Sequence, residues 1–105
     1  MKVTLSPSAR DYVKTEAAYL RARNPRAAQQ FANDLKRLRD MLGRFPLAGH
    51  VTEELPVRGV LRLVMGAYLV DYEMLDSSIR IFAIRHGRER PPSIPVDDDF
   101  DYESD

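Results

Sequence analysis

The spacing of apolar residues divides the chain into a helical first half and a strand-rich second half. After a short predicted strand at residues 2–5, apolar residues recur every three or four positions, which is the period of an amphipathic helix. Ser6-Pro7 and Asn24-Pro25 each place a capping side chain before a proline at the first helical position, where its missing N–H is tolerated. Two helices joined so closely form an antiparallel hairpin. The first half therefore predicts a strand followed by a helical hairpin.

Each predicted helix carries one apolar stripe. The first helix should end near Arg23, and its stripe consists of Ala9, Tyr12, Val13, Ala17 and Leu20. The second helix has six apolar positions on one face: Ala28, Phe31, Leu35, Leu38, Leu42 and Phe45. Gly43 is predicted to cap the C-terminus of the second helix. We interpret both stripes as core of the chain itself rather than as a site for a partner helix.

The second half reads as a three-stranded meander. After a loop at 47–56, strands are predicted at 57–65, 68–75 and 79–86, where β-branched and apolar residues are frequent. The last strand is apolar without clean alternation, which indicates an interior strand covered on both sides. The order β-α-α-β-β-β predicts an α+β fold in which the two-helix hairpin packs on one face of a small, mainly antiparallel sheet. No helix remains for the opposite face, where we expect a ligand or partner.

The net charge of zero conceals two differently charged parts. Six acids fall within the last nine residues, and the rest of the chain holds sixteen basic and ten acidic residues, a formal charge of +6. We predict one domain at residues 1–95 and a disordered acidic tail at 96–105, because acids without an apolar pattern cannot offset the entropy of ordering. A basic domain indicates an anionic target or an acidic partner. The tail either screens this surface or only aids solubility.

Several classes of protein are excluded by composition. The chain has no cysteine, so a disulfide framework and a thiolate metal site are ruled out. His50 and His86 show no spacing typical of metal ligands, so we expect neither a metal nor a cofactor. The chain lacks a long apolar segment, which excludes a membrane span and a secretory signal and favours a cytoplasmic location.

Five short motifs occur in order along the chain: 5–9 (LSPSA), 45–46 (FP), 56–62 (PVRGVLR), 68–73 (YLVDYE) and 81–91 (IFAIRHGRERP). With these motifs, residues 1 to about 92 resemble the RelE/ParE toxin family of type II toxin-antitoxin systems. The resemblance implies an antitoxin partner and one of two mechanisms. RelE-like members are ribosome-dependent endoribonucleases that cleave mRNA, whereas ParE-like members poison DNA gyrase without cleavage chemistry.

The residues of the meander favour the ParE-like branch. Metal-free RNA cleavage needs groups that exchange protons and cations aimed at developing charge. The meander has no lysine, and the six residues after His86 contain no tyrosine, unlike the pattern that RelE-like enzymes share. His86 with Arg85 is the candidate RNase centre, since histidine titrates near neutrality, but a histidine that caps the sheet through a hydrogen bond is favoured. We therefore expect a non-enzymatic gyrase inhibitor; a RelE-like metal-independent endoribonuclease is the alternative, and an interaction module without toxicity is a third hypothesis.

Two sets of residues are predicted to bind partners. Arginine binds phosphate or carboxylate through a planar fork, although an ordinary solvated edge is the alternative here. The predicted target surface comprises Arg58, Arg62, Arg85, His86, Arg88 and Arg90. The resemblance implies a ParD-like antitoxin that lays a helix along the hairpin and extends across the open sheet, forming a hetero-oligomer. Its predicted contacts are Tyr12, Tyr19, Arg62 and Arg85. Asp71 and Glu73 are expected to pair with meander arginines across strands.

Overall fold

The computed structural model describes residues 1–87, so the predictions for Arg88, Arg90 and the tail at 96–105 lie outside the described residues. The elements are β1 (Lys2–Leu5), α1 (Pro7–Arg23), α2 (Pro25–Arg44), β2 (Val60–Met65), β3 (Tyr68–Met74) and β4 (Ser78–His86). The strands form one sheet in the order β1-β4-β3-β2, in which only the β1–β4 pair is parallel. This arrangement confirms the predicted α+β order, the mainly antiparallel sheet and the interior position of β4.

Both helices begin as the caps predict. The Ser6 hydroxyl accepts a hydrogen bond from the Ala9 amide at 3.1 Å, and the Asn24 side-chain oxygen accepts one from the Ala27 amide at 3.2 Å. Each bond satisfies an N–H group that has no partner within the first turn of its helix. The proline that follows each cap fixes the start of the helix.

The C-terminal end of α2 differs from the prediction. The helix continues through Gly43 to Arg44, and the Phe45 amide donates to the Met41 carbonyl at 2.8 Å. Gly43 instead allows the chain start to approach: the Met1 ammonium donates to the Gly43 carbonyl at 2.9 Å, and a Cβ at Gly43 would lie 3.0 Å from the Met1 carbonyl oxygen. Phe45 lies past the helix end and is 62% exposed, so its predicted place in the buried stripe is wrong.

The core lies between the helical hairpin and one face of the sheet. Its buried members are Ala9, Phe31, Leu38, Leu42, Met65, Tyr68, Val70, Tyr72, Ile79, Ile81 and Ile84. Apart from Phe45, every residue of the two predicted stripes is buried or half-buried. Burial of each large side chain contributes about 1.5–3 kcal/mol, so this face accounts for most of the stabilisation of the fold. No helix within residues 1–87 is long and apolar enough to cross a membrane.

An irregularity in β4 explains its lack of alternation. The register places Asp71 opposite Ala83 but Tyr72 opposite Ile81, so β4 carries one extra residue, as in a β-bulge. The shift lets Ile81 and Ile84 both enter the core although they are three positions apart. The unbroken apolar run therefore reflects this bulge and not burial on both faces, since Arg80 is exposed.

Candidate functional site

The face of the sheet that turns away from the helices carries the charged side chains of the meander. Side chains alternate between the two faces of a strand, so Leu61 and Leu63 pack toward the core while Arg62 between them points away from it. We call this side the outer face and define it by Arg62 of β2, Asp71 and Glu73 of β3, and Arg80 and Arg85 of β4.

Arg62 and Asp71 form a two-pronged ion pair on the outer face. They lie directly opposite each other in the β2–β3 register. Arg62 Nε donates to Asp71 Oδ1 at 2.6 Å and Arg62 Nη2 donates to Oδ2 at 2.9 Å, with side-chain exposures of 15% and 7%. The hydrogen bond to Asp71 is the main cause of the raised pKa of Arg62. Arg80 Nε pairs with Glu73 at 3.0 Å. Both pairs confirm the predicted cross-strand pairing of the meander.

A second acid, Glu54, links Arg62 to Arg85. Arg62 Nη1 donates to Glu54 Oε1, and Arg85 Nη2 donates to the same oxygen at 3.1 Å. The Thr52 hydroxyl accepts a further bond from Arg62 Nη1 at 3.4 Å. The hydrogen bond from Arg62 is the main reason that the pKa of Glu54 is lowered. One carboxylate oxygen therefore joins two guanidinium groups that come from different strands.

The loop that supplies Glu54 is held at the edge of the sheet. His50 and Arg62 exchange backbone hydrogen bonds at 2.8 and 2.7 Å. The buried Tyr72 hydroxyl donates to the Pro46 carbonyl at 2.7 Å and accepts from the Gly49 amide at 2.9 Å, and burial raises the pKa of Tyr72. A Cβ at Gly49 would lie 2.9 Å from the Tyr72 hydroxyl and from the Arg62 carbonyl oxygen, so the loop passes close here because this residue is glycine.

The outer face is consequently less open than the sequence predicts. Within residues 1–87 no helix lies over it, as expected. However, the loop between α2 and β2 places Thr52 and Glu54 against Arg62. A pattern of apolar spacing cannot show this, because the loop has no period and its contacts depend on the Tyr72 anchor. The outer face is thus partly covered by the chain itself.

Of the other predicted target residues, Arg58 and His86 lie within the described part of the chain, and neither joins this cluster. Arg58 is exposed in the turn before β2. His86 lies opposite Tyr68 on the helix-facing side, where the two rings meet edge to face with centroids 5.4 Å apart. The His86 amide donates to the Tyr12 hydroxyl at 3.2 Å. The structure therefore brings Arg62 and Arg85 together and places His86 on the other face of the same strand as Arg85.

The residues predicted to bind an antitoxin fall into two places. Arg62 and Arg85 belong to the outer face, whereas Tyr12 and Tyr19 lie on α1. Tyr19 is exposed, with the Arg23 guanidinium 4.6 Å from its ring centroid. A cleft of about 460 Å³ lies beside it, lined by Thr15, Glu16, Tyr19, Leu20, Tyr68 and His86.

A larger cleft of about 600 Å³ lies between α2 and β2. The exposed side chains of Phe45 and Val64 line it together with Leu38, Met41 and Met65, and both Arg37 and Arg44 lie at its rim. An apolar cleft with a polar rim is typical of a protein-binding site. No motif in the sequence singles this surface out, because it forms only when α2 ends beside the edge strand β2.

Two contacting acids were missed from the sequence. Glu54 lies in an aperiodic loop, and Glu16, on the first helix, accepts a hydrogen bond from the Tyr68 hydroxyl across 52 positions. Neither contact leaves a local signal. Among residues 1–87, no group of three or more histidines, aspartates or glutamates is placed to hold a metal ion.

The chemistry of the outer face is that of binding. Arginine stays protonated in proteins, so Arg62 and Arg85 hold anionic oxygens but do not exchange protons. The arrangement therefore suits recognition of carboxylate or phosphate groups on a partner.

Comparison with known proteins identifies the family. Residues 3–91 match the family model described as the ParE toxin of the type II toxin-antitoxin system, parDE. The fold matches a chain of the chromosomal ParDE toxin-antitoxin system from P. aeruginosa with a TM-score of 0.66 and 18% sequence identity, over 82% of this chain and 95% of that chain. A search of curated proteins gives no match. Because the family model spans most of the chain, this protein belongs to the ParE toxin family of type II toxin-antitoxin systems.

Proposed function

We propose that the protein inhibits DNA gyrase through its outer face and is held inactive in the cytoplasm by a ParD-like antitoxin. Membership of the ParE family supports this proposal. The observation that carries it is the convergence of Arg62 and Arg85 on one carboxylate oxygen, with His86 on the opposite side of the sheet. Guanidinium groups bind anionic groups, but by themselves they do not supply the proton transfer that cleavage requires.

The separation of Arg85 from His86 is the main argument against RNA cleavage. Adjacent residues of a strand point to opposite faces, so the guanidinium and the imidazole do not approach a common phosphate. Cleavage of a phosphodiester needs a proton-transfer group and a cation at the same phosphate. The RelE-like endoribonuclease is therefore the less well supported alternative, and the experiment below tests it directly.

The antitoxin would use both sides of the molecule. We expect an amphipathic helix of the antitoxin to lie along the cleft beside Tyr19 on α1, close to the Tyr12 hydroxyl. Acidic residues of the antitoxin would reach Arg62 and Arg85. The matched P. aeruginosa structure is of a ParDE system, which supports a partner of the ParD kind. A toxin-antitoxin hetero-oligomer follows from this proposal.

A supercoiling assay with purified gyrase tests the proposed target. The wild-type protein should inhibit supercoiling, and Arg85→Gln should weaken inhibition by about tenfold or more, because truncating one member of a desolvated charged contact costs several kcal/mol. Arg80→Gln is the matched control, since Arg80 lies on the same strand and face but pairs with Glu73 alone among the described contacts. It should reduce inhibition by less than about twofold.

An in vitro translation assay run beside it separates the two mechanisms. The proposal expects intact mRNA in the presence of the protein. Cleaved mRNA together with normal supercoiling would assign the protein to the endoribonuclease branch instead. Equal losses of inhibition in Arg80→Gln and Arg85→Gln would show that net charge, and not the Arg62–Arg85 pair, governs binding.

A further inference from the structure

The carboxylate of Glu54 occupies the point at which the two arginines of the outer face converge. We propose that Glu54 is an internal, displaceable ligand of a carboxylate-binding site formed by Arg62 and Arg85, and that a carboxylate of an acidic partner peptide replaces it. If the proposed function holds, that peptide belongs to the antitoxin, so this identification of the partner rests on the proposed function. The binding site itself does not.

The donors form a preorganised site for one anionic oxygen. Arg62 Nη1 and Arg85 Nη2 both point at Glu54 Oε1. Their side chains are only 15% and 12% exposed, so both guanidinium groups are largely withdrawn from water. Arg62 is also fixed in orientation by its two bonds to Asp71. Donors that are already desolvated and oriented lose little entropy when they bind a ligand oxygen.

The two acids of the cluster differ in how easily they can be replaced. Asp71 is nearly buried and uses both carboxylate oxygens on Arg62, so removing it would leave a buried cation without its main partner. Glu54 is 44% exposed and lies on a loop, and ion pairs in such positions are weak. An incoming carboxylate therefore exchanges with Glu54 at little cost, whereas Asp71 remains in place.

The charge of the cluster selects the class of ligand. Among residues 1–87 the cluster consists of two arginines and two acids, and withdrawal of Glu54 removes one negative charge from it. One carboxylate restores neutrality, whereas a dianionic phosphate would leave excess negative charge next to Asp71. The site is thus better matched to the single charge of an acidic side chain than to a dianionic phosphate group.

The test uses a hexaglutamate peptide as the probe and isothermal titration at low salt as the measurement. Glu54→Gln removes the negative charge of Glu54 from the site. Glu53→Gln is the matched control because it makes the same change of net charge at the neighbouring position. We expect Glu54→Gln to bind the peptide about threefold to fivefold more tightly than the wild type, in line with the weakness of exposed ion pairs. Glu53→Gln should change binding by less than about twofold, and adding Arg85→Gln to Glu54→Gln should abolish the gain.

Two outcomes would overturn the proposal. Equal gains in peptide affinity for Glu54→Gln and Glu53→Gln would mean that only the net charge matters. A larger gain in affinity for inorganic phosphate than for the peptide would show that the proposed ligand class is wrong. Unchanged urea midpoints for both variants confirm that they fold. The titration contains no gyrase. If Glu54→Gln shows the expected gain in peptide affinity while the wild type does not inhibit supercoiling, the proposed function is refuted but the carboxylate site is not.

Discussion

The two faces of the four-stranded sheet are stabilised in different ways. The helix-facing side is apolar, with Val70, Tyr72 and Ile79 fully buried against the hairpin. The outer face is held by ion pairs between Arg62, Asp71 and Glu54. Apolar burial is non-directional, and no single contact within it can be exchanged for a contact with a partner molecule. A guanidinium–carboxylate contact can pass to another carboxylate, so the outer face suits recognition while the inner face maintains the fold.

Within the outer face, the two acids that contact Arg62 differ in the same way. Asp71 behaves as part of the fold, because it is almost buried and satisfied by a single arginine. Glu54 behaves as part of the surface, since it is half-exposed and shared between two arginines. For these two acids, the degree of burial therefore indicates a role in folding better than the position on one face of the sheet does.

The largest loss of stability should come from the inner face. Ile79→Ala removes a fully buried side chain from β4, one of the two interior strands of the sheet. We expect the free energy of unfolding to fall by about 2–5 kcal/mol, the sum of lost apolar transfer and a new cavity. Urea denaturation measures it. Val64→Ala, at an exposed position of β2, should change stability by less than about 0.5 kcal/mol, and comparable losses in both variants would contradict the assignment of the core.

A smaller but clear loss should follow from Asp71→Ala on the outer face. The substitution leaves the guanidinium of Arg62 largely desolvated without its two-pronged partner. The free energy of unfolding should fall by about 2–3 kcal/mol, below the full range for a completely buried pair because Glu54 still contacts Arg62. Glu73→Ala breaks a more exposed pair with Arg80 and should cost less than about 1 kcal/mol. If the two variants lost the same stability, the distinction by burial would fail.

The smallest of these stability changes concerns the hydrogen bonds by which Tyr72 holds the loop that supplies Glu54. Tyr72→Phe removes the hydroxyl that bonds to Pro46 and Gly49, and we expect a loss of about 1–2 kcal/mol because both backbone groups lose their partner. Tyr19→Phe, at an exposed position, is the control and should be neutral. Faster hydrogen exchange of the Gly49 amide in Tyr72→Phe alone would locate the effect in the loop.

The same tyrosine gives the wild type a dependence on pH. Burial raises the pKa of Tyr72, so the folded state keeps the hydroxyl protonated where the unfolded chain begins to ionise. Stability should therefore be fully present below the ordinary tyrosine pKa of about 10 and decline as pH rises above it. Tyr72→Phe should show a weaker decline over this range; identical pH profiles for the two proteins would refute the contribution of Tyr72.

Local signals in the sequence account for most of the fold. The caps at Ser6 and Asn24 and the helical spacing of apolar residues predict both helices, because these features act within one turn. Gly43 and Phe45 were misinterpreted because their roles depend on where Met1 and the helix end lie in space. The bulge in β4 was likewise hidden, since it appears only when Asp71 and Tyr72 are aligned with the neighbouring strand.

The contacts of the candidate site likewise divide into those that the sequence predicts and those that depend on the fold. Pairing between Arg62 and Asp71 could be predicted because both lie on a meander whose register follows from its short turn. Glu54 could not, because its position depends on a loop anchored by the buried Tyr72. His86 has a local sequence context that fits a catalytic centre, yet strand alternation places it on the face opposite Arg85.

We infer that Arg85 serves recognition rather than folding, whereas Arg62 also holds the buried Asp71. Arg85→Gln, measured in the same preparation by urea denaturation and by inhibition of gyrase supercoiling, tests it most directly. We expect the unfolding free energy to change by less than about 1 kcal/mol, because the acid left behind, Glu54, is 44% exposed and keeps its bond from Arg62. Inhibition should fall by about tenfold or more. A destabilised protein whose folded fraction inhibits gyrase as well as the wild type would contradict it.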